Sequence, residues 1–407
     1  MQSQWLERPL EELLIPRREL VSPSLTGKNR YVGLEHLDSG MARIFRFGND
    51  STVRSSKNKF YPQDILYGKL RPYLDKGAIA EWEGVCSTDI LVFEANNIEA
   101  DPFFMSFFIH QPEFLEYAIA NTDGVNHPRT SWNSLSKYCQ KVPPLPEQKA
   151  IATVLSKIQF AIEIQDKTIK ALKELQAATL SRLLQYGLET FSIRQADIGL
   201  LPKPWAIVPM REAMSVKEGL VDPKVEPYAS LPHVGPENIE QSTGRLLVCQ
   251  TAKNQRLISG KYLFNPGEIV YSKIRPYLKK SILADFKGIC SADVYPLIPK
   301  PGFDSAFLHA VTLSETFSAQ AISQQDRTGI PKVNREQLNS IVIPKPSLEE
   351  QKEIGKFFHS ILNRLQLACQ KHFYFNSMFS SMLHQLMTGK IRVNEALEFL
   401  QECSDLK

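Results

Sequence analysis

The chain has 407 residues, 43% of them hydrophobic and 23% charged, with 48 Lys+Arg against 44 Asp+Glu for a net charge of +4. That composition supports folded cores in two or three domains and argues against disorder. It contains no run of 18 apolar residues, no leader-like start, and six cysteines without a CxxC pair or zinc spacing, so a reduced cytoplasmic setting is expected, without disulfides or structural metal.

Read in chain order, the first segment mixes short β-branched and aromatic runs, Asp64 to Leu66 and Ile90 to Phe93, with Pro and Gly punctuation, as a compact mixed α/β domain does. Its net charge is −2 over residues 1–146, from 16 basic and 18 acidic residues. The basic residues bunch. Residues 39–76 hold eight cations against three acids. After the prolines of 142–146 the periodicity changes to that of a helix, with Leu155, Ile158, Ile162, Gln165, Ile169, Leu172, Gln176, Thr179 and Leu183 at alternating steps of three and four. A helix of roughly 38 residues would be about 57 Å long.

The pattern then repeats. YGKLRPYLDKGAIAEWEGVCSTDILVF (67–93) aligns without a gap on YSKIRPYLKKSILADFKGICSADVYPL (271–297), with twelve of 27 positions identical. LPEQKAI (145–151) likewise meets LEEQKEI (348–354), and a second stripe follows at Phe358, Ile361, Leu365, Ala368, His372, Phe375, Met382 and Leu386. Two equal stripes in one chain predict an antiparallel coiled coil between two mixed domains. Gln165 and Gln176 either set its register or are tolerated there. The expected boundaries are a first domain 1–145, a first helix 146–190, a second domain 191–346, a second helix 347–390 and a tail 391–407.

Motifs for catalysis are missing. No phosphate loop GxxxxGK[ST] and no GxGxxG are present, the Asn/Asp-Pro-Pro-aromatic signature of amino-methyltransferases is absent, and the eight histidines form no catalytic spacing. The doubled KxRPY element is the best candidate for a partner contact. If Lys69 and Arg71 alternate along an extended segment, both point to one face and suit a phosphate backbone. The alternative is that Arg71 pairs with Asp89 inside the domain, with Tyr73 and Cys86 in the core.

These features together resemble the DNA-specificity subunit of type I restriction-modification systems: the doubled layout, YxKxRPYLxK…CSxD, the PLPEQKAI and PSLEEQKEI helix starts, and LMTGKIRV (386–393) closing the second helix. The resemblance covers nearly the whole chain. It implies an α+β molecule in which two target-recognition domains each read half of a split double-stranded DNA site. Two long antiparallel helices would form a coiled-coil spacer between them and give a pseudo-two-fold internal repeat. It also implies a non-catalytic chain that holds two methyltransferase subunits and two restriction/translocase subunits, the partners using S-adenosylmethionine, ATP and magnesium. A methylation-only complex or a self-contained DNA-modifying enzyme is the alternative.

The repeat sharpens the expected roles. Residues identical in both copies cannot carry a difference in sequence read, so Lys69, Arg71, Lys273 and Arg275 are expected on the backbone. Base reading is then expected in the divergent stretches 43–59 and 121–132, and 245–261 and 325–335. Candidates are Arg54, Lys57, Asn58, Asn126, His127 and Arg129 in the first copy, and Asn254, Gln255, Arg256, Arg327, Lys332 and Asn334 in the second, against plain loop solvation. Lys59, Lys76, Lys261 and Lys280 complete the candidate DNA contacts.

Overall fold

The computed structural model describes residues 4–23, 29–189, 192–324 and 331–397. Its chain divides into two compact units, one made of residues 1–164 and 372–407, the other of 165–371. Each unit therefore holds one mixed domain, the end of one long helix and the start of the other.

In the first unit a four-stranded antiparallel sheet runs in the order Leu14–Pro16, Ile90–Ala95, Ile65–Gly68, Gly77–Ile79. A second sheet places Arg30–Val32 parallel to Gly84–Cys86, with Lys57–Phe60 antiparallel on the other edge of Gly84–Cys86. The second unit repeats both arrangements. Met214–Val216, Val294–Pro299, Ile269–Ser272 and Ser281–Leu283 form its four-stranded sheet, and His233–Val234 lies parallel to Gly288–Cys290 beside Tyr262–Phe264. The strands read as nearly continuous apolar runs because both faces are covered: Ile65, Leu66, Tyr67, Ile269, Val270 and Tyr271 are all buried. Cys86 and Cys290 are buried as well, and burial pushes both thiols well above their ordinary range, so they pack as small apolar groups.

The long helices span Leu145–Tyr186 and Leu348–Met387, about 63 and 60 Å at 1.5 Å per residue. Within the first unit one core joins Ile151, Val154, Leu155, Ile158 and Ile162 of the first helix to Phe379, Met382, Leu383 and Leu386 of the second. Start meets end, so the helices are antiparallel there. In the second unit Leu180 and Phe358 share a cluster with Ala310 and Leu313 of the mixed domain. In the first helix no residue from 164 to 175 is buried, whereas Leu365 and Ala368 at the middle of the second helix are. Ile164 and Leu175, nearer the middle of the first helix, are largely exposed.

The repeated helix-start motif has a structural reason. Gln148 accepts from the Asp101 amide at 2.8 Å and donates to the carbonyls of Glu99 and Pro143, each at 2.9 Å. Gln351 does the same with the Asp304 amide (3.0 Å) and the carbonyls of Gly302 (3.4 Å) and Pro346 (3.0 Å). Each buried amide satisfies backbone groups that would otherwise be orphaned at the junction of domain and helix. Beside it, Glu147 accepts from the Trp5 indole at 3.2 Å and Glu350 from the Trp205 indole at 2.9 Å. The E-Q pair staples the globular part to its helix in both copies.

Candidate nucleic-acid interface

The KxRPY element does not continue as an extended strand. The preceding strand ends at Gly68, and Arg71 takes a left-handed conformation (φ 53, ψ 63) before the short 3₁₀ turn Pro72–Leu74, which Asp75 closes in a second left-handed conformation (φ 47, ψ 57). The second copy repeats this at Arg275 (φ 49, ψ 59), Pro276–Leu278 and Lys279 (φ 46, ψ 53). Alternation therefore does not put Lys69 and Arg71 on one face as expected. A residue before proline is normally steered to extended geometry, and positive φ is costly for a side chain with a Cβ. Four of the seven non-glycine residues with positive φ among the described residues are these four.

What holds the strained turn is the divergent loop. The Arg71 amide donates to the Pro128 carbonyl at 2.7 Å and the Thr130 amide to the Lys69 carbonyl at 3.0 Å; Arg275 to Pro331 (2.7 Å) and Val333 to Lys273 (2.9 Å) are the counterparts. In the first copy Asp123 and Arg129 exchange two backbone bonds of 2.9 Å each, which closes a hairpin around Gly124–Pro128 with Val125 98% exposed at its tip. The invariant element thus carries the variable hairpin directly.

Side chains sort into free and engaged cations. Lys57 donates to the Ser55 carbonyl (2.8 Å) and hydroxyl (2.7 Å), and Lys261 to the same atoms of Ser259 (2.9 and 2.6 Å); both lysines are buried. Burial also lowers the affinity of the Lys261 amine for its proton. Lys76 donates to the Leu34 carbonyl at 2.6 Å and Lys280 to that of Pro236 at 2.7 Å. Lys59 pairs with Glu83. The ammonium groups of these five residues, expected as DNA contacts, have partners within the domain.

Three amide candidates also have partners within the domain. Asn58 donates to the Ile90 carbonyl, Gln255 meets the His233 ring, and Asn334 caps the helix Arg335–Ser340.

Asp89 has a partner other than the one anticipated. Arg129, expected at a base edge, binds it at 3.0 Å, whereas Arg71 lies 3.4 Å from the His127 ring and its Nε is buried without a partner. In the second copy Asp293 instead lies 3.7 Å from Lys273, and Lys332, at the position of Arg129, is exposed. Lys69, Arg71 and Arg275 have no carboxylate partner among the described residues, and Arg54, Asn126, Arg256 and Lys332 are exposed. Arg327 lies outside the described residues. Sequence reasoning also misplaced Tyr73 and Tyr277, which stand 52% and 50% exposed on the turn, while Tyr67 and Tyr271 fill the core. The available signal was the proline directly before each tyrosine, which ends the strand alternation there.

The family model for the type I restriction modification DNA specificity domain matches residues 27–174 and again 202–372. The chain belongs to that family. It is 37% identical over 161 residues to the EcoDI specificity subunit of Escherichia coli, a match that spans 40% of this chain and only 35% of that protein. It is 25% identical over 391 residues to the MjaVIII specificity subunit of Methanocaldococcus jannaschii, across 92% of this chain and 88% of the other. Among solved structures, the S subunit of a type I system from M. genitalium matches with a TM-score of 0.65 at 14% identity, covering 95% of this chain and 96% of that one. A chain solved in work on assembly and conformational transition of the type I system matches at 0.52 and 18% identity, over 95% and 98%. At these identities the two structures share the fold.

Proposed function

We propose that each repeat of this specificity-family chain binds one half of a split double-stranded DNA site, and that the chain itself does no chemistry. The observation that carries the reading is the doubled constellation: the same left-handed turn, bearing Lys69 and Arg71 or Lys273 and Arg275, is hydrogen-bonded to a loop that differs between the copies. Phosphates need cations in the same place in both copies, and base edges need different side chains. Free cations and amides suit this division. Lys69, Arg71 and Arg275 hold the backbone, and Arg54, Asn126, Arg256 and Lys332 face base edges. Arg129 joins them when DNA competes for it with Asp89.

In this reading the long helices carry the partners: two methyltransferase subunits, and two motor nuclease subunits where the complex also restricts. S-adenosylmethionine, ATP and magnesium then belong to those partners, and the complex works in the cytoplasm. No group of three metal-ligating side chains occurs among the described residues, and no helix is long and apolar enough to cross a membrane. The test is an exchange of residues 191–345 for the corresponding domain of another specificity subunit, read by methylome sequencing. One half-site changes and the other stays if the copies read independently. A change in both halves, or in neither, overturns the assignment.

A further inference from the structure

We propose that Tyr73 and Tyr277 are paired, sequence-independent contacts to the DNA backbone, each phenol ring lying against a deoxyribose and its hydroxyl donating to a phosphate oxygen. The proposal rests on the reading of the chain as a DNA binder and adds a kind of contact that the cations cannot make.

Presentation is the first argument. Each tyrosine is the middle residue of a 3₁₀ turn whose proline is buried and whose two flanks are left-handed. Few backbone segments are so tightly specified, so the Cα–Cβ bond of each tyrosine is set in the same way in both copies. The turn is tied at both ends. At the first, Arg71 and Arg275 donate to Pro128 and Pro331. At the second, the chemistry differs: Asp75 binds His110 at 2.7 Å in one copy, and Lys279 pairs with Glu315 in the other. Two unlike side-chain pairs hold one backbone shape around the same Arg-Pro-Tyr-Leu stretch, in which the tyrosine is the exposed aromatic residue.

Exposure is the second argument. About half of each tyrosine residue is open to solvent, and neither hydroxyl has a partner among the described residues. An exposed phenol whose hydroxyl is free fits a sugar and the adjoining phosphate, where protein–DNA hydrogen bonds concentrate. The residue is tyrosine in both copies, so it carries no base preference. Unpaired Lys69 and Arg71 precede one ring and Arg275 the other, and supply the charge that brings a phosphate there.

The experiment compares the Tyr73→Phe/Tyr277→Phe double variant with the Lys69→Ala/Arg71→Ala variant, both in the full chain, on a mixed-sequence duplex over a salt series. A neutral hydroxyl displaces no counterion. Loss of each hydroxyl is expected to weaken binding about twofold to tenfold with the salt slope and the melting temperature unchanged. The cation variant is expected to lower the slope by up to about 1.8. Wild-type affinity in the Phe variant, beside a lowered slope in the cation variant, overturns the tyrosine contact and leaves DNA binding intact. Earlier melting with unchanged affinity assigns the hydroxyls to the fold and also overturns it. Failure of the unaltered chain to show salt-dependent binding removes the DNA reading itself.

Discussion

The two copies solve the same structural problem with different polar interiors. Where the first copy has Ser106 and Ser156, the second has His309 and His359, whose rings meet at 3.1 Å beside the second long helix. His309 is fully buried and its Nε2 lies 3.2 Å from the Ser281 carbonyl. A carbonyl only accepts, so His309 carries its proton on Nε2, and its Nδ1 accepts from His359. By contrast, Gln148 and Gln351 are the same residue making the same three backbone bonds. The difference teaches that identity between copies has two sources, a shared demand of the fold, as at Gln148 and Gln351 or Lys57 and Lys261 with their internal partners, and a shared outward contact, as proposed for Arg71 and Arg275.

The largest expected effect tests that shared requirement. Replacing Gln148 or Gln351 with Leu leaves one amide and two carbonyls without partners at the helix junction, and each buried orphan costs about 1 to 3 kcal/mol. Each variant should lose on the order of 3 kcal/mol, and hydrogen exchange should show the loss in the unit that carries the change. Equal and delocalised losses in both units would contradict separate staples.

The histidine pair breaks the symmetry. Burial, followed by the neighbouring ring, pushes His309 down to about 3, and burial lowers His359 as well, against the opposing carboxylate of Asp304. Above pH 6.5 both are neutral, folded or unfolded, and proton binding contributes nothing. As pH falls below 6.5 the unfolded chain takes up protons that the folded pair refuses. Stability then falls by about 1.4 kcal/mol per pH unit for a single histidine, down to the folded value. At pH 5 the second unit should have lost about 2 kcal/mol from His309 alone. His309→Ser with His359→Ser, copying the first repeat, should remove the pair's share of that slope, as urea titrations at pH 7 and pH 5 would show, while His233, which burial also holds below its ordinary range, keeps its own share. A slope left unchanged by the double substitution would place its origin elsewhere.

Much of this was legible in the sequence. The repeat, the two long helices and the buried cysteines follow from gap-free identity and from spacing, because those signals are local. The site was less legible. Whether a lysine faces solvent depends on one serine two residues away, as Ser55 and Ser259 show, and the partner of Asp89 lies 40 residues along the chain in a loop with no periodicity. Alternation failed at Arg71 because a left-handed residue breaks the period of two, and its causes, the Pro128 carbonyl and the Asp75–His110 pair, come from other segments.

The smallest expected effect concerns that aspartate. The Arg129–Asp89 pair is partly solvated, and such pairs contribute about 0 to 1 kcal/mol, so Asp89→Asn should scarcely alter melting. Its effect should appear with DNA. Asp89 holds Arg129 within the domain, and neutralising it removes the competitor for that guanidinium. With that guanidinium turned to its base edge, one more cation lies among the phosphates, and the dependence of log affinity on log salt should steepen by up to about 0.9. Asp293→Asn removes only a distant contact to Lys273 from an aspartate that is 53% exposed, and its slope should move less. Equal steepening in the two variants would show that both aspartates act through their general negative charge, and the difference between the copies at Asp89 and Asp293 would then have no consequence for binding.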